Sequence, residues 1–164
     1  MVDVAVVGAG LAGLTAAIQL HRGGYGVVVV EKSRGVGGRV NTRRLSGTCV
    51  DRGARYIEAQ GRLLAPWVDA MHRRGVVRPW SETGYVWKSG AGIVPVSVSH
   101  PRYVAPDGIN AIAKWIGADL DIWRDRRVVR IMPISGNRWH LELQANPRSP
   151  EGSLELTANA IILA

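Results

Sequence analysis

Within its first thirteen residues the chain fixes the kind of turn it must make. Val4, Val6 and Val7 read as a short buried strand, and Gly8, Gly10 and Gly13 then satisfy G-x-G-x-x-G. Leu11, Leu14, Ala17 and Ile18 continue at helical spacing. Each glycine has a mechanical role in such a strand–turn–helix. Gly8 lets the chain leave the strand in a tight turn, Gly10 lets a pyrophosphate approach the backbone, and Gly13 lets the helix lie close on the strand. The helix start offers free N–H groups and a partial positive charge to phosphates. With 20 glycines in the chain, the pattern gains its weight from the residues beyond it. Gly23 and Gly24 suit a helix C-terminus, Val27–Val30 is a second apolar run, and Glu31 stands 18 residues after Gly13. That is where a βαβ dinucleotide unit places the carboxylate that binds ribose.

Composition narrows the remaining classes. A chain of 164 residues with 46% hydrophobic residues is a globular protein of one domain or slightly more. Its single cysteine, Cys49, excludes an intramolecular disulfide and reads as a small buried hydrophobe. His21, His72, His100 and His140 are scattered without a second ligand at metal spacing, so no metal is expected. Residues 4–20 carry no charge but fall short of a membrane span, are broken by glycines and follow Asp3 rather than a cation. The expectation is a soluble, cytoplasmic protein with no membrane partner. The formal charge is +8, yet it is concentrated: Lys32, Arg34, Arg39, Arg43, Arg44, Arg52 and Arg55 fall within 24 residues that contain one acid, Asp51. Such a cluster after the ribose-binding acid suits a pyrophosphate-bearing cofactor. No nucleic-acid motif accompanies it, and no nucleic-acid partner is expected.

Further along, residues 32–40 hold Gly35, Gly37 and Gly38 in a loop whose backbone approaches a ligand or takes positive φ. Residues 39–44 alternate weakly up to a turn at 45–48, and Gly53-Ala54 again admits a flat ligand. Residues 62–75 read as a helix with Leu63, Leu64, Trp67, Val68 and Met71 inward. Short β-prone runs at 76–77, 85–87 and 93–98 predict an antiparallel meander, with Trp80, Tyr85 and Trp87 packing a small sheet or lining a pocket. After the Pro106-Asp107-Gly108 turn, Ile109, Ile112, Ala113 and Ile116 form a helix face ended by Gly117. Strands are expected at 119–123, 127–132, 139–143, 154–156 and 160–163, with a polar loop at 146–152. Residues 160–164 read as a buried central strand, which suggests the N-terminal part of a longer protein whose unfinished sheet presents an edge at Ala164. The fold class is α/β, a Rossmann-like FAD/NAD(P)-binding βαβ fold with an inserted antiparallel β meander, truncated at its C-terminus. Residues 1–60 and 101–164 form the nucleotide-binding domain, and 61–100, a helix plus β insertion, form part of a substrate domain.

Four segments together resemble the flavin-containing amine oxidase superfamily, and most closely its renalase-like branch: Val-Val-Gly-Ala-Gly-Leu-Ala-Gly-Leu at 6–14, Glu-Lys-Ser-Arg-Gly-Val-Gly-Gly-Arg at 31–39, Thr-Arg-Arg at 42–44 and Asp-Arg-Gly-Ala-Arg-Tyr at 51–56. The resemblance implies FAD bound in extended form. Gly8, Gly10 and Gly13 would meet its pyrophosphate and Glu31 the adenosine ribose, with Leu11, Ala12 and Lys32 also among the cofactor-binding residues. Gly37, Gly38 and Arg39 would follow the pyrophosphate and ribityl side. Arg43 and Arg44 would lie towards the flavin, with Gly53, Ala54, Arg55 and Tyr56 along its ring and Val128 at adenine. Arg55 stands where the family usually has Gln, and a cation there would favour anionic reduced flavin. The implied activity is that of an FAD-dependent oxidase, which moves a hydride from a reduced small-molecule substrate, dihydronicotinamide- or amine-type, to flavin and then to O₂. No catalytic side chain is named, since the flavin carries the chemistry. Two readings compete: an NAD(P)-binding module, with Arg34 available to a 2′-phosphate, and a non-catalytic remnant. A dimer, or pairing with a missing C-terminal half, is the expected association.

Overall fold

The computed structural model describes residues 1–145 and 155–164. The expected polar loop at 146–152, and Leu154 of the expected strand 154–156, lie outside those residues. The chain folds as two compact units, residues 1–40 with 113–164, and residues 41–112.

The first unit is built on alternation and β-branching. The strands β1 (Val2–Val7) and β2 (Val27–Val30) flank α1 (Leu11–Arg22) and run parallel, with Val4 opposite Val27 and Val7 opposite Val30. All four residues of β2 are buried, as a parallel strand covered on both faces requires. The helix α1 buries Gly13, Leu14, Ala17 and Ile18, the face its periodicity predicts. Further along come β8 (Asp121–Trp123), β9 (Arg126–Ile134), β10 (Arg138–Ala145) and β11 (Glu155–Leu163), numbered in chain order with those of the second unit. They complete a six-stranded sheet of order β8-β2-β1-β11-β10-β9. The strands β8, β2, β1 and β11 are parallel neighbours, while β10 is antiparallel to both β11 and β9. On one face of this sheet Ala5, Val28, Val30, Leu141, Leu143, Leu156 and Ala158 form a core cluster.

Two expectations about the C-terminal strand change here. The separate strands at 154–156 and 160–163 are one strand in the described part, because Thr157, Ala158 and Ala160 keep register with His140, with Val2 and Trp139, and with Val4 respectively. β11 also lies between β1 and β10, so the edges of the sheet are β8 and β9, and Ala164 does not end an open edge. Nor do residues 160–164 form a buried run: Leu156 and Ala158 are buried, but Leu163 is 71% exposed.

The second unit contains the hairpin β3 (Thr42–Leu45) and β4 (Thr48–Asp51), then β5 (Ile57–Glu58), α2 (Gly61–Arg73), β6 (Arg78–Lys88) and β7 (Gly92–Val104). Ser46 and Gly47, both at positive φ, make the two-residue hairpin turn. The meander is longer and simpler than expected. In place of three short runs it is one hairpin of 11- and 13-residue strands, with β5 added beside β7. In α2 only Val68 and Met71 are buried. Leu63, placed on the core face by sequence, is 88% exposed, because it precedes Val68 by five residues and so lies on another side of the helix. The helix α3 (Asn110–Ile116) follows, and Ile109, Ile112, Ala113 and Ile116 are all buried as predicted.

Candidate functional site

Across the first turn of the nucleotide unit, the three motif glycines have different reasons to be glycine. A Cβ on Gly13 would land on the carbonyl oxygen of Gly8, and one on Gly8 would strike the carbonyl oxygen of Ala164. Both are demanded by the protein's own packing. Gly10 is not: it has ordinary extended φ and ψ, and a Cβ there would meet nothing within 4 Å. The space over Gly10 is left open by the protein. Opposite stands Gly38, whose hypothetical Cβ would meet only the Gly10 Cα, at 3.3 Å. Gly37 is bridged to Gly10 and donates its N–H to the Ala9 carbonyl at 2.8 Å. At φ 119° it occupies backbone space that favours glycine, and a side chain would strike the Val40 carbonyl oxygen. The two glycine-rich runs, 8–13 and 37–38, therefore face each other.

The start of α1 is electrostatically bare. Gly10 is its N-cap, no side chain caps it and no acid lies in its first turn. The first amides of a helix have no intrahelical acceptor, so these N–H groups and the positive end of the dipole are available to an anion. Leu11 and Ala12 belong to this turn.

Glu31 is buried at the end of β2, and both of its carboxylate oxygens are engaged. The Ala9 N–H donates to Oε2 and the Ser33 N–H to Oε1, each at 2.8 Å. The acid thus ties the glycine turn to the segment entering the second glycine loop, and each oxygen keeps a further lone pair for a hydroxyl. The Arg126 N–H donates to the Glu31 carbonyl at 3.0 Å, which fixes the start of β9 beside this acid. Val128, two residues on, is partly buried against the core cluster. Lys32, Arg34 and Arg39 are exposed. In the first unit the structure thus brings together Gly8, Gly10, Leu11, Ala12, Gly13, Glu31, Gly37 and Gly38, with Val128 on a strand anchored at Glu31.

The other expected residues lie in the second unit. Arg43 and Arg44 are exposed on β3, opposite Val50 and Cys49. Gly53 and Arg55 are exposed and Ala54 and Tyr56 partly buried in the span between β4 and β5. Tyr56 is held on one side by Arg102, whose guanidinium carbon is 4.7 Å from its ring centroid, and on another by Trp80 at 5.8 Å. Sequence reading missed Arg102 and Glu58, a cross-strand pair at 3.1 Å; their signal was only the β5–β7 register, which no local motif announces. Cys49 is half-buried rather than buried, with its thiol 3.7 Å from the Asp107 carbonyl oxygen. Tyr85 and Trp87 are 72% and 71% exposed, so among the described residues they are not packed into a core. Among the described residues no group of three or more His, Cys, Asp or Glu is placed to hold a metal ion, and no helix is long and apolar enough to cross a membrane.

Known proteins resemble this chain in sequence or in fold. Residues 6–71 match the family described as NAD(P)-binding Rossmann-like domain. A Mycobacterium tuberculosis protein with the provisional name flavin-containing monoamine oxidase AofH is 52% identical over 56 residues, 34% of this chain and 12% of that protein. The L-amino-acid oxidase of Notechis scutatus scutatus is 42% identical over 67 residues, 40% of this chain and 13% of that one. In fold, the chain is similar to putrescine oxidase bound to putrescine, with a TM-score of 0.69 at 12% identity over 99% of this chain and 57% of that one. It is also similar to a flavoprotein/dehydrogenase from Cytophaga hutchinsonii, with a TM-score of 0.63 at 19% identity over 99% and 38%. The chain spans little more than half of the putrescine oxidase structure, and the matched segments are about an eighth of the curated relatives. The chain has a Rossmann-like FAD/NAD(P)-binding fold, partial relative to these proteins, and its N-terminal segment is similar in sequence to oxidases of the amine and amino-acid type.

Proposed function

We propose that this chain is the FAD-binding part of an oxidoreductase that takes a hydride from a reduced small-molecule substrate, dihydronicotinamide- or amine-type. The observation that carries the reading is the open space over Gly10, faced by Gly38 and flanked by the uncapped start of α1 and buried Glu31. These residues fit the group. The bare amides suit a pyrophosphate, Glu31 suits ribose hydroxyls, and Gly10 and Gly38 let the backbone approach. When bound, FAD supplies hydride acceptance at the flavin and its return to O₂ as H₂O₂. The protein's own share is to bind and orient. Glu31, fixed by the Ala9 and Ser33 amides, holds the ribose, and the sequence resemblance assigns Arg39, Arg43, Arg44, Gly53, Ala54, Arg55 and Tyr56 to the cofactor as well. The renalase-like branch is favoured by the segments at 42–44 and 51–56. In this reading residues 1–60 and 101–164 serve the cofactor and 61–100 the substrate, the protein is cytoplasmic, and further polypeptide completes the substrate side.

An absorption spectrum of the purified chain, before and after FAD is added, tests the proposal. Flavin bands that stay with the protein through gel filtration support it, and a colourless protein after incubation counts against it. A second reading, an NAD(P)-binding module, has in its favour the description of the matched family and exposed Arg34 beside Glu31. Saturable NADPH binding without FAD binding would reverse the order.

A further inference from the structure

Among the described residues only two charged side chains are buried, Glu31 and Arg126, and a backbone bond joins them: the Arg126 N–H donates to the Glu31 carbonyl at 3.0 Å. Arg126 opens β9, and only Arg124 and Asp125 separate it from the end of β8. Those two strands are the opposite edges of the sheet, so the chain has to redirect within two residues. Asp125 does this at φ 55°, in left-handed backbone that few residues other than glycine, asparagine and aspartate adopt at low cost. Ser46 and Asn137, the other described non-glycine residues at positive φ, each stand beside a glycine in a hairpin turn. Asp125 has no glycine beside it. Its carbonyl instead accepts from Nη1 of the buried Arg126 guanidinium at 3.2 Å.

This turn grips the segment that carries the acid. The Glu31 N–H donates to the Trp123 carbonyl at 2.8 Å, the Asp125 N–H to the Ser33 carbonyl at 3.3 Å and the Arg126 N–H to the Glu31 carbonyl. With the Ala9 and Ser33 amides on its carboxylate, Glu31 is fixed through backbone and side chain together. All of these residues lie in the first unit. Burying a guanidinium costs desolvation, and an apolar side chain of similar length would pack there at lower cost. The guanidinium adds a donor for the carbonyl of the left-handed residue. We propose that Arg126 is a positioning residue for Glu31: its guanidinium closes the Arg124-Asp125 turn, and the turn holds residues 31–33 where the carboxylate can take the hydroxyls of an adenosine ribose. The ribose contact rests on the cofactor reading above, and the grip on the bonds just given.

Arg126→Met keeps an apolar stem and removes the guanidinium. The first readout is hydrogen exchange of the chain without ligand. Exchange at the Ser33, Asp125 and Arg126 amides is expected to rise by about fivefold or more, the factor for one net hydrogen bond, while the amides of β1 keep their wild-type rates. No change at the three amides, or the same rise throughout β1, overturns the grip. The second readout is affinity for ADP, which carries the adenosine ribose and a pyrophosphate without a flavin. Titration calorimetry compares wild type, Arg126→Met, Glu31→Gln and the double variant. Arg126→Met is expected to bind ADP about fivefold more weakly, and the double variant no more weakly than Glu31→Gln, because Arg126 acts through Glu31. Unchanged ADP affinity in Arg126→Met, or losses that multiply in the double variant, overturn the positioning role. If Arg126→Met does not fold, Asp125→Val, whose branched side chain opposes the left-handed backbone, is compared with Asp125→Asn, which suits it. Equal ADP affinity in those two overturns the role as well. A wild-type chain that binds ADP but retains no FAD overturns the proposed function, and the ADP cycle still decides this inference; a chain that binds neither overturns both.

Discussion

The turn at Gly8–Gly13 and the span at Arg52–Tyr56, each assigned to the cofactor by the sequence resemblance, are held in place in different ways. The first is fixed mainly by backbone packing, with the Glu31 carboxylate accepting from the Ala9 N–H as its one cited side-chain tie. Gly13 and Gly8 are crowded by carbonyl oxygens of Gly8 and Ala164, and Gly37 donates to Ala9. The second is fixed by side chains reaching across the sequence, Asp51 to Ile109 and Arg102 to Glu58 and Tyr56. A backbone-fixed site tolerates almost no change at its crowded positions yet leaves one open, at Gly10. A side-chain-fixed site can be loosened one bond at a time. The contrast predicts that mutations in the first region will act as all or none, and those in the second by degrees.

The largest effect is expected at Gly13. Gly13→Ala drives a methyl into the Gly8 carbonyl oxygen, an overpacked contact with backbone that nothing flexible relieves, and it should destabilise by more than about 3 kcal/mol. Circular-dichroism melting checks it; a melt within a degree or two of wild type would show that α1 and β1 can separate. Next is Glu31→Ala, which removes the acceptor for two backbone amides, one of them buried. A loss of about 1–3 kcal/mol in urea unfolding is expected, since those donors are left without a partner. Gly10→Ala should fall within about 0.5 kcal/mol of wild type, because its φ and ψ suit alanine and its Cβ has room; its effect belongs to the ligand. Smallest is Trp87→Ser. At 71% exposed, Trp87 should contribute no more than about 0.5 kcal/mol to the stability of this chain, and a larger loss on melting would mean that the hairpin end packs against something.

The same division explains what could be read from sequence. The nucleotide unit was legible because its signals are local. Three glycines at fixed spacing, two β-branched runs and Glu31 predicted β1, α1 and β2 and their order, and periodicity placed Ile109, Ile112, Ala113 and Ile116 inward. In the second unit the decisive relations are long-range. Nothing near Thr42 announces that its hydroxyl oxygen accepts from the Asn110 N–H, and the Glu58–Arg102 pair follows from strand register alone. Exposure was misjudged for the same reason. Trp87 and Leu63 carry an apolar label in the sequence, but burial depends on what lies opposite, and among the described residues neither has a neighbour that encloses it. β11 shows a third case: its apolar run suggested a strand and a buried one, yet whether it ended the sheet depended on β10, which sequence placed only as a strand.

The measurement that bears most directly on this account is a paired FAD titration of the wild-type chain and Gly10→Ala, followed by the visible flavin bands, with melting recorded on the same samples. The account predicts that wild type binds FAD, that Gly10→Ala melts with wild type, and that its FAD affinity is lower by about tenfold or more, the methyl occupying the space a pyrophosphate needs. Equal FAD affinity in two equally stable proteins would contradict it, because the open position over Gly10 would then not be where the cofactor lies.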